Sequence, residues 1–268
     1  METRLITLTT DFGHKDPFVG IMKGVIFGIN PQAQVIDLSH GIPPQDIMAA
    51  ALVLQHSAPF FPRGSIHVAV VDPGVGSERK PILIEAEGSF FVGPDNGILS
   101  LAVEKKKINW IVELSEETYH LNPKSATFHG RDIFAPVAAH LSLGIPASDF
   151  GDPVADYFRL RRPEVVKTAG TIQGEVLYID GFGNLITNIR ARDLQTIQPQ
   201  NCSISVSSVT IHGISPNYSS AEPNPYVAVV NSWGLLEISC FNGNAHRRSG
   251  AKVGDAVSVR ADAERQTP

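Results

Sequence analysis

The sequence has few cysteines, few aromatic residues and no excess of positive charge. Its 268 residues include only Cys202 and Cys240 as thiols, and aromatic side chains make up 7%. Two such cysteines supply neither a zinc-ligand spacing nor a disulfide framework, so we expect reduced thiols in a cytoplasmic protein, with one disulfide as the alternative. Lysine and arginine number 22 against 27 acidic residues, a net charge of −5. An acidic chain without a basic tract is a poor candidate for binding nucleic acid or an anionic membrane.

Long apolar runs are also absent. No stretch reaches the ~18 apolar residues of a membrane span, since the run from Ile47 to Leu54 ends at two polar residues. The first residues lack the basic and apolar regions of a signal peptide. The content of 43% hydrophobic and 18% charged residues is typical of a globular protein. We therefore expect a soluble protein that acts on a small molecule, with no membrane partner.

Short apolar runs alternate with helical patterns over the first 160 residues. Asp16-Pro17 predicts an N-cap followed by a proline at the first position of a helix that ends at Asn30. Alternation of this kind predicts an α/β domain with a largely parallel sheet, over residues 1–163. The predicted strands are Leu5–Thr9, Val35–Leu38, Ile66–Val71, a hairpin of Ile82–Ile84 with Phe90–Val92, and Trp110–Leu114; the other predicted helices are Ile47–Leu54, Ile98–Val103 and Ile133–Leu143.

The pattern changes after Arg161-Arg162-Pro163, and we place the domain boundary near residues 161–170. Several short strands separated by glycine, asparagine and proline predict an all-β domain, a small barrel or a sandwich, over residues 171–262. Ser203–Ile211 is predicted as one strand with a bulge at Ser207-Ser208. A frayed polar tail is predicted from Ala261 onward. The other predicted strands are Val176–Ile179, Leu185–Ile189, Tyr226–Val230, Leu235–Ile238 and Ala256–Val259.

Polar residues concentrate in six segments, each bounded by glycine or proline. Taken singly, an Asp before Phe-Gly or Pro-Gly is more often a turn or cap residue than a catalytic one. In a largely parallel sheet, however, the carboxyl ends of strands form the ligand crevice, and Asp11 and Asp72 are both predicted there. The segments are TTDFGHKDPF (9–18), VVDPGVGSER (70–79), GPDNG (93–97), TFHGRD (127–132), YIDGFGNLITN (178–188) and NSWGLLEI (231–238).

Metal and nucleophile chemistry are poorly supported by these segments. His129 and Asp132 have a spacing compatible with two metal ligands, but no second histidine pair or cysteine cluster completes a site. Asp132 is equally explained as a helix N-cap. Ser77 and Ser232 do not lie on a Gly-x-Ser-x-Gly elbow. By contrast, an Asp beside an Arg stays ionised and a nearby His can exchange a proton, so Asp72, Arg79 and His129 are candidates to polarise a water molecule.

Together and in this order, the six segments resemble those of the S-adenosyl-L-methionine hydroxide adenosyltransferase family, relatives of the fluorinase and chlorinase enzymes. The resemblance covers roughly residues 4 to 260. It implies an α/β domain, a C-terminal β-barrel domain, and a homotrimer with substrate held between one subunit's N-terminal domain and its neighbour's C-terminal domain. The implied reaction converts S-adenosyl-L-methionine and water to adenosine and L-methionine, with no metal and no cofactor.

The resemblance also implies roles for particular residues. The catalytic set falls on Asp72, Arg79 and His129. Asp11 matches a carboxylate that grips the ribose hydroxyls, and Asn184 matches a residue at the adenine. The residues that match contacts to the methionine part are Asp16, Asp180 and Ser232.

Two alternatives stay open at this stage. A halide-using enzyme on the same fold would, by resemblance, carry a tyrosine in place of His129, and the fluorinase a serine in place of Gly130 together with an extra N-terminal loop. A module that binds S-adenosylmethionine or adenosine without turnover could dispense with the catalytic set. Two further positions lack an assignment from sequence: the segment Ser239–Asn244 near the expected adenine, and Trp233, which is either a stacking ring or an interface residue.

Overall fold

The amino-terminal unit is built on a mixed sheet of six strands within residues 5–113. The order is β2-β1-β3-β5-β4-β6, in which β2, β1, β3 and β5 pair in parallel while β4 pairs antiparallel with both β5 and β6. The α/β architecture holds in outline, and the sheet is mixed because β4 alone runs opposite to the other five strands. The strands are β1 (Leu5–Thr10), β2 (Gln34–Ser39), β3 (Ile66–Val70), β4 (Pro81–Ala86), β5 (Ser89–Pro94) and β6 (Ile108–Glu113).

The computed structural model describes residues 4–220 and 225–262. The chain divides into two units, Met1–Leu160 and Arg161–Pro268. Over the described residues, no helix is both long and apolar enough to cross a lipid bilayer. The polar tail predicted from Ala261 onward lies, after Asp262, outside the described residues.

The helices of the first unit differ from the predictions mainly at their starts. The predicted cap at Asp16 is wrong: α1 begins at Phe18, Pro17 occupies the cap position with ψ of 1°, and no side chain caps the helix. The chain turns through residues 13–16, which leaves Asp16 exposed before the helix. Asp46 does cap α2, where its Oδ1 accepts a hydrogen bond from the Ala49 N–H at 2.8 Å. The helices are α1 (Phe18–Ile29), α2 (Ile47–Ser57), α3 (Ser100–Val103) and α4 (Ala135–Ser142).

Strands β1 and β3 are buried along nearly their whole length. This burial explains their continuous apolar character, because parallel strands covered on both faces have no polar side. Phe134 is fully buried in the same core and lies in a π-helical turn, Gly130–Phe134, directly before α4. The core therefore holds the ends of β1 and β3 and the start of α4 rigidly, and these are the elements that carry Asp11, Asp72 and His129.

The carboxyl-terminal unit contains a nearly barrel-shaped antiparallel sheet among its described residues. The main strand order is β11-β10-β14-β8-β9-β13-β12, and β7 pairs with β8. An isolated bridge between Ser215 and Val229 links the chain after β11 to β12 at the other end of this order. A short helix, α5 (Ala245–Ser249), follows β13. The strands are β7 (Val166–Thr168), β8 (Thr171–Ile179), β9 (Leu185–Arg190), β10 (Cys202–Val206), β11 (Val209–His212), β12 (Tyr226–Val230), β13 (Leu235–Cys240) and β14 (Ala256–Ala261).

One strand prediction in this unit is wrong. Residues 203–211 do not form a single bulged strand but two strands, β10 and β11, which pair antiparallel with Val206 opposite Val209. Ser207 adopts a positive φ of 48°. A two-residue turn with positive φ matches the twist of a hairpin, so the slip in the alternation marks a reversal of the chain.

Gly93 provides a test of how closely β5 packs on β3. A Cβ at Gly93 would lie 2.5 Å from the carbonyl oxygen of Ala69, which is backbone and has little freedom to move. We expect Gly93→Ala to lower the free energy of unfolding by about 1–3 kcal/mol, as overpacking does. Gly24→Ala is the matched control, because this exposed helical position has no heavy atom within 4 Å of the added methyl group.

The control should raise stability by about 0.5–1 kcal/mol, since alanine favours helix over glycine. Urea unfolding of both variants measures the difference. Equal stability of the two variants would contradict the close approach of β5 to β3.

Candidate active site

Two of the six sequence segments meet at an aromatic cluster beside the carboxyl end of β1. The ring centroid of Phe12 lies 5.7 Å from that of Phe18 and 5.9 Å from that of Phe128, and the Phe18 and Phe128 centroids are 5.4 Å apart. All three contacts are edge-to-face, the geometry that aromatic rings favour. The cluster joins the TTDFGHKDPF segment to the TFHGRD segment, which lies more than 100 residues further along the chain.

The segment after β3 is folded by its own serine and glycine. The Ser77 hydroxyl donates a hydrogen bond to the Gly74 carbonyl at 2.7 Å and accepts one from the Arg79 N–H at 3.3 Å. Gly76 has a φ of 78°, and a Cβ there would lie 2.4 Å from the carbonyl oxygen of Ala126. Both the positive φ and the lack of space for a Cβ require glycine at this position. The loop therefore packs directly against the segment that leads to His129.

Asp72, Arg79 and His129 form one hydrogen-bonded cluster. Arg79 Nε donates to Asp72 Oδ1 at 3.0 Å, and Arg79 Nη2 donates to Asp72 Oδ2. Nη2 also lies 2.7 Å from His129 Nδ1. The Asp72 and Arg79 side chains are only 6% and 9% exposed, and the guanidinium carbon lies 5.6 Å from the Phe134 ring centroid. A bidentate pair at this burial is strongly oriented, so Arg79 fixes the other two side chains.

The hydrogen bond from Arg79 determines which nitrogen of His129 carries a proton. A guanidinium has only donors, so His129 Nδ1 must accept, and the neutral ring holds its proton on Nε2. Burial and the adjacent charge of Arg79 lower the pKa of His129 from its usual value, which favours this neutral form. The cluster thus presents a carboxylate acceptor and an imidazole N–H donor next to each other.

Asp132 holds the segment that carries His129, and it is not the predicted N-cap. It lies inside the π-helical turn and is 1% exposed, where its Oδ2 accepts a hydrogen bond from the Ser125 N–H at 2.7 Å. Arg131 Nε donates to its Oδ1 at 2.6 Å. Burial opposes ionisation, but these hydrogen bonds hold the pKa of Asp132 below its usual value. Among the described residues, no group of three or more His, Cys, Asp or Glu side chains is placed to hold a metal ion.

Asp11 lies at the end of β1 and is partly committed to the fold. Its Oδ2 accepts a hydrogen bond from the Gln45 N–H at 2.8 Å, while Oδ1 takes none from the described residues. Asp16 is exposed on the turn before α1.

Asn96, in the GPDNG segment, donates from Nδ2 to the Val71 carbonyl at 2.8 Å and so holds the residue before Asp72 in place. The sequence did not predict this role for Asn96, although its place in one of the six polar segments was an available signal.

Asp180 and Asn184 form a closed turn in the second unit. Asp180 Oδ1 accepts hydrogen bonds from the Phe182 and Asn184 N–H groups, both at 2.9 Å, and Oδ2 accepts one from Asn184 Nδ2 at 2.9 Å. A Cβ at Gly183 would overlap the Asn244 side chain, with 2.1 Å to Nδ2. The Ser239–Asn244 segment, unassigned from sequence, therefore ends with Asn244 against this turn.

Ser232 lies on the turn between β12 and β13, with an exposed side chain. The neighbouring Trp233 ring stacks on Tyr178, with centroids 5.7 Å apart and an interplanar angle of 23°. Of the two readings of Trp233, stacking within its own unit is what the structure shows. Asp180 follows Tyr178 by two residues, so this stack links the two turns that carry Asp180 and Ser232.

Comparison with protein families places both units in one family. The model of the SAM hydroxide adenosyltransferase N-terminal domain matches residues 6–151, and that of the C-terminal domain matches residues 174–258. The chain belongs to the SAM hydroxide adenosyltransferase family.

Curated relatives divide into two named activities. Two relatives are named (R)-S-adenosyl-L-methionine hydrolase. The protein of Methanocaldococcus jannaschii is 39% identical, over 95% of this chain and 95% of its own. The protein of Salinispora tropica is 37% identical, over 97% of this chain and 98% of its own. A fluorinase of Actinoplanes sp. is 26% identical over 71% of this chain and 73% of its own. A crystal structure of an uncharacterized conserved protein from Thermotoga maritima superposes with a TM-score of 0.89 at 33% identity, covering 96% of this chain and 100% of that one.

Arg79 and Asp72 have opposite effects on the pKa of His129. The Arg79 charge lowers the pKa of His129 and the Asp72 charge raises it. We therefore expect Arg79→Gln to raise the pKa of His129 and Asp72→Asn to lower it further, measured by NMR titration of the imidazole ring. In the unsubstituted protein, the nitrogen shifts should report the proton on Nε2 at neutral pH. Shifts of the pKa in the same direction in both variants would contradict the arrangement.

Proposed function

We propose that this protein hydrolyses S-adenosyl-L-methionine to adenosine and L-methionine. The partly buried Asp72–Arg79–His129 cluster is the observation that carries the proposal, because it places a proton acceptor and an N–H donor side by side. Membership of the hydroxide adenosyltransferase family and the names of the relatives with 37–39% identity support it. Those names specify the (R) configuration at sulfur, and we propose the same epimer as the substrate here.

The leaving group decides what the site must do. Attack at the ribose C5′ of a sulfonium expels a neutral thioether, which needs neither a general acid nor a metal ion to depart. The remaining tasks are to exclude bulk water and to hold one water in line behind C5′. Fixing a nucleophile and an electrophile in this way lowers a barrier by up to ~7–11 kcal/mol. We accordingly propose a reaction without a metal or a cofactor.

The cluster assigns different parts to His129 and Asp72 in this reaction. The Nε2–H group of His129 donates a hydrogen bond to the water oxygen, and a carboxylate oxygen of Asp72 accepts one from a water hydrogen. When the C5′–O bond forms and the C5′–S bond breaks, the oxygen becomes positively charged and strongly acidic. A weak base such as a carboxylate is then sufficient to take the proton, which passes to solvent. Arg79 orients both groups through its hydrogen bonds.

Substrate contacts are proposed from the remaining residues. Asp11 offers its uncommitted Oδ1 to the ribose hydroxyls, since its Oδ2 is held by Gln45. Asn184 is proposed at the adenine. The contacts proposed for the methionine part are Asp16, Asp180 and Ser232. The oxygens of Asp180 already accept three hydrogen bonds within its turn, so this residue contributes mainly negative charge toward the methionine ammonium group.

Halide transfer is the second candidate, because fluorinases are among the more distant relatives. A halide ion needs no proton acceptor, whereas the buried carboxylate and imidazole are suited to water. A binding protein without turnover is the third candidate, and it would need the substrate contacts but no cluster. The cluster therefore favours hydrolysis over both.

The proposal is tested by incubating the protein with each sulfonium epimer in isotopically labelled water, with and without chloride, followed by mass spectrometry. We expect labelled adenosine from the (R) epimer at the same rate in both arms. Asp72→Asn should lower the rate by about 10²–10⁴, the usual contribution of a positioned base. Asp149→Asn, the same change at an exposed position, serves as the control and should retain the rate.

Bound but uncleaved substrate would support the binding protein instead. A chlorinated nucleoside formed only with chloride would support halide transfer. An unlabelled adenosine product would contradict attack of water at C5′.

We also propose that the protein works as a homotrimer, with each substrate held between the N-terminal domain of one subunit and the C-terminal domain of its neighbour. Family resemblance supports this arrangement. Light scattering should give three times the chain mass of 28.9 kDa. A monomer mass at every concentration tested would contradict it.

The proposed compartment is the cytoplasm. Cys202 and Cys240 are buried free thiols, and free buried cysteines are typical of reducing compartments.

A further inference from the structure

A buried carboxylate lies in the second unit outside the residues discussed so far. Glu237 on β13 is 3% exposed and accepts three hydrogen bonds from neutral side chains. The Ser239 hydroxyl donates to Oε1 at 2.6 Å, the Tyr218 hydroxyl donates to Oε1 at 3.0 Å, and Asn231 Nδ2 donates to Oε2 at 2.9 Å. No lysine or arginine of the described residues forms an ion pair with it. A carboxyl group is costly to bury unless it is hydrogen-bonded, so Glu237 depends on these three donors.

The amide of Asn231 connects Glu237 to the turn between β12 and β13. Asn231 Oδ1 accepts hydrogen bonds from the Trp233 N–H at 2.9 Å and the Leu235 N–H at 3.2 Å. Backbone N–H groups can only donate, so the oxygen of this amide must face the turn and its NH₂ group must face Glu237. The direction of each hydrogen bond from the turn through Asn231 to Glu237, with its donor and its acceptor, is thereby determined. Ser232 lies inside the turn that Oδ1 closes.

The donors around Glu237 cannot easily reverse this polarity. Burial and the charge of Glu237 raise the pKa of Tyr218 to about 12, and the charge of Asp180 adds to the effect. The Tyr218 hydroxyl therefore stays protonated and continues to donate at physiological pH. Ser239 lies two residues along the same strand, so its side chain is on the same face as Glu237.

We propose that Glu237 is a positioning residue, which acts through Asn231 to hold the turn around Ser232 in the shape that receives the methionine part of the substrate. The inference rests on the proposed function for the identity of the substrate. Glu237 itself touches no reacting atom, and the buried cluster of the first unit is not part of this network. Loss of the Glu237–Asn231 bond should therefore raise KM and leave kcat little changed.

Asn231→Asp tests the Glu237–Asn231 hydrogen bond by replacing the NH₂ donor of Asn231 with an acceptor oxygen. The new carboxylate would still accept from Trp233 and Leu235, but its second oxygen would face Glu237, so that two acceptors meet without a hydrogen. We expect KM to rise about tenfold or more, as leaving buried polar groups unpaired does. Asn201→Asp is the matched control, the same change at an exposed position before β10, and it should leave KM unchanged.

The double variant Asn231→Asp with Glu237→Gln separates positioning from general damage. Its glutamine amide would donate to the new aspartate, which restores the bond with the donor and acceptor exchanged. We expect KM to return to within about threefold of that of the unsubstituted protein. The Glu237→Gln single variant should be impaired like Asn231→Asp, because two NH₂ groups would then meet without an acceptor. Hydrogen exchange of the Trp233 and Leu235 amides should accelerate in Asn231→Asp and slow again in the double variant.

The outcomes separate the two proposals. If the unsubstituted protein binds but does not cleave S-adenosylmethionine, the proposed function fails, while the network is still tested by substrate affinity and amide exchange in the same variants. If hydrolysis is present and Asn231→Asp leaves KM unchanged, the positioning role is overturned. It is overturned equally if the double variant fails to recover KM and amide protection.

Discussion

The candidate site depends on the buried guanidinium of Arg79. Its bidentate bond to Asp72 balances the charge, and its contact with the Phe134 ring ties it to the core of the first unit. The same group donates to His129 and so determines where that ring carries its proton. Because the loop from Asp72 to Arg79 is closed by its own hydrogen bonds and by Gly76, one cation orients two functional side chains at once.

Acidic side chains in the glycine-rich segments fall into two groups. Asp132, Asp180 and Glu237 accept hydrogen bonds that organise turns of the protein itself. Asp11 keeps one oxygen uncommitted, and Asp16 is exposed. The distinction is physical: a carboxylate that accepts several hydrogen bonds from its own turn stabilises that turn, whereas one with an uncommitted oxygen has more lone pairs left for a ligand. Both kinds look alike in a sequence motif.

Gly130, next to His129, is closely surrounded by side chains. A Cβ at this position would lie 3.3 Å from Met22 Sδ and 3.3 Å from the Phe128 ring. A larger residue would press on the aromatic cluster beside His129. Any side chain at this position would thus require a small shift of these neighbours.

Much of this protein follows from local sequence. The buried strands, the β4–β5 hairpin and the six polar segments are readable because apolar runs, turn residues and motif spacing act over a few neighbours. Asp16 and Asp132 were misread as caps because a cap depends on where the chain enters the helix, and the hairpin at Ser207 was misread because alternation does not reveal a reversal of direction. The tautomer of His129 and the link from Glu237 to Ser232 were decided only by tertiary structure. Each of these depends on a hydrogen bond between residues that the fold, and not the spacing along the chain, brings within 3 Å or so of each other.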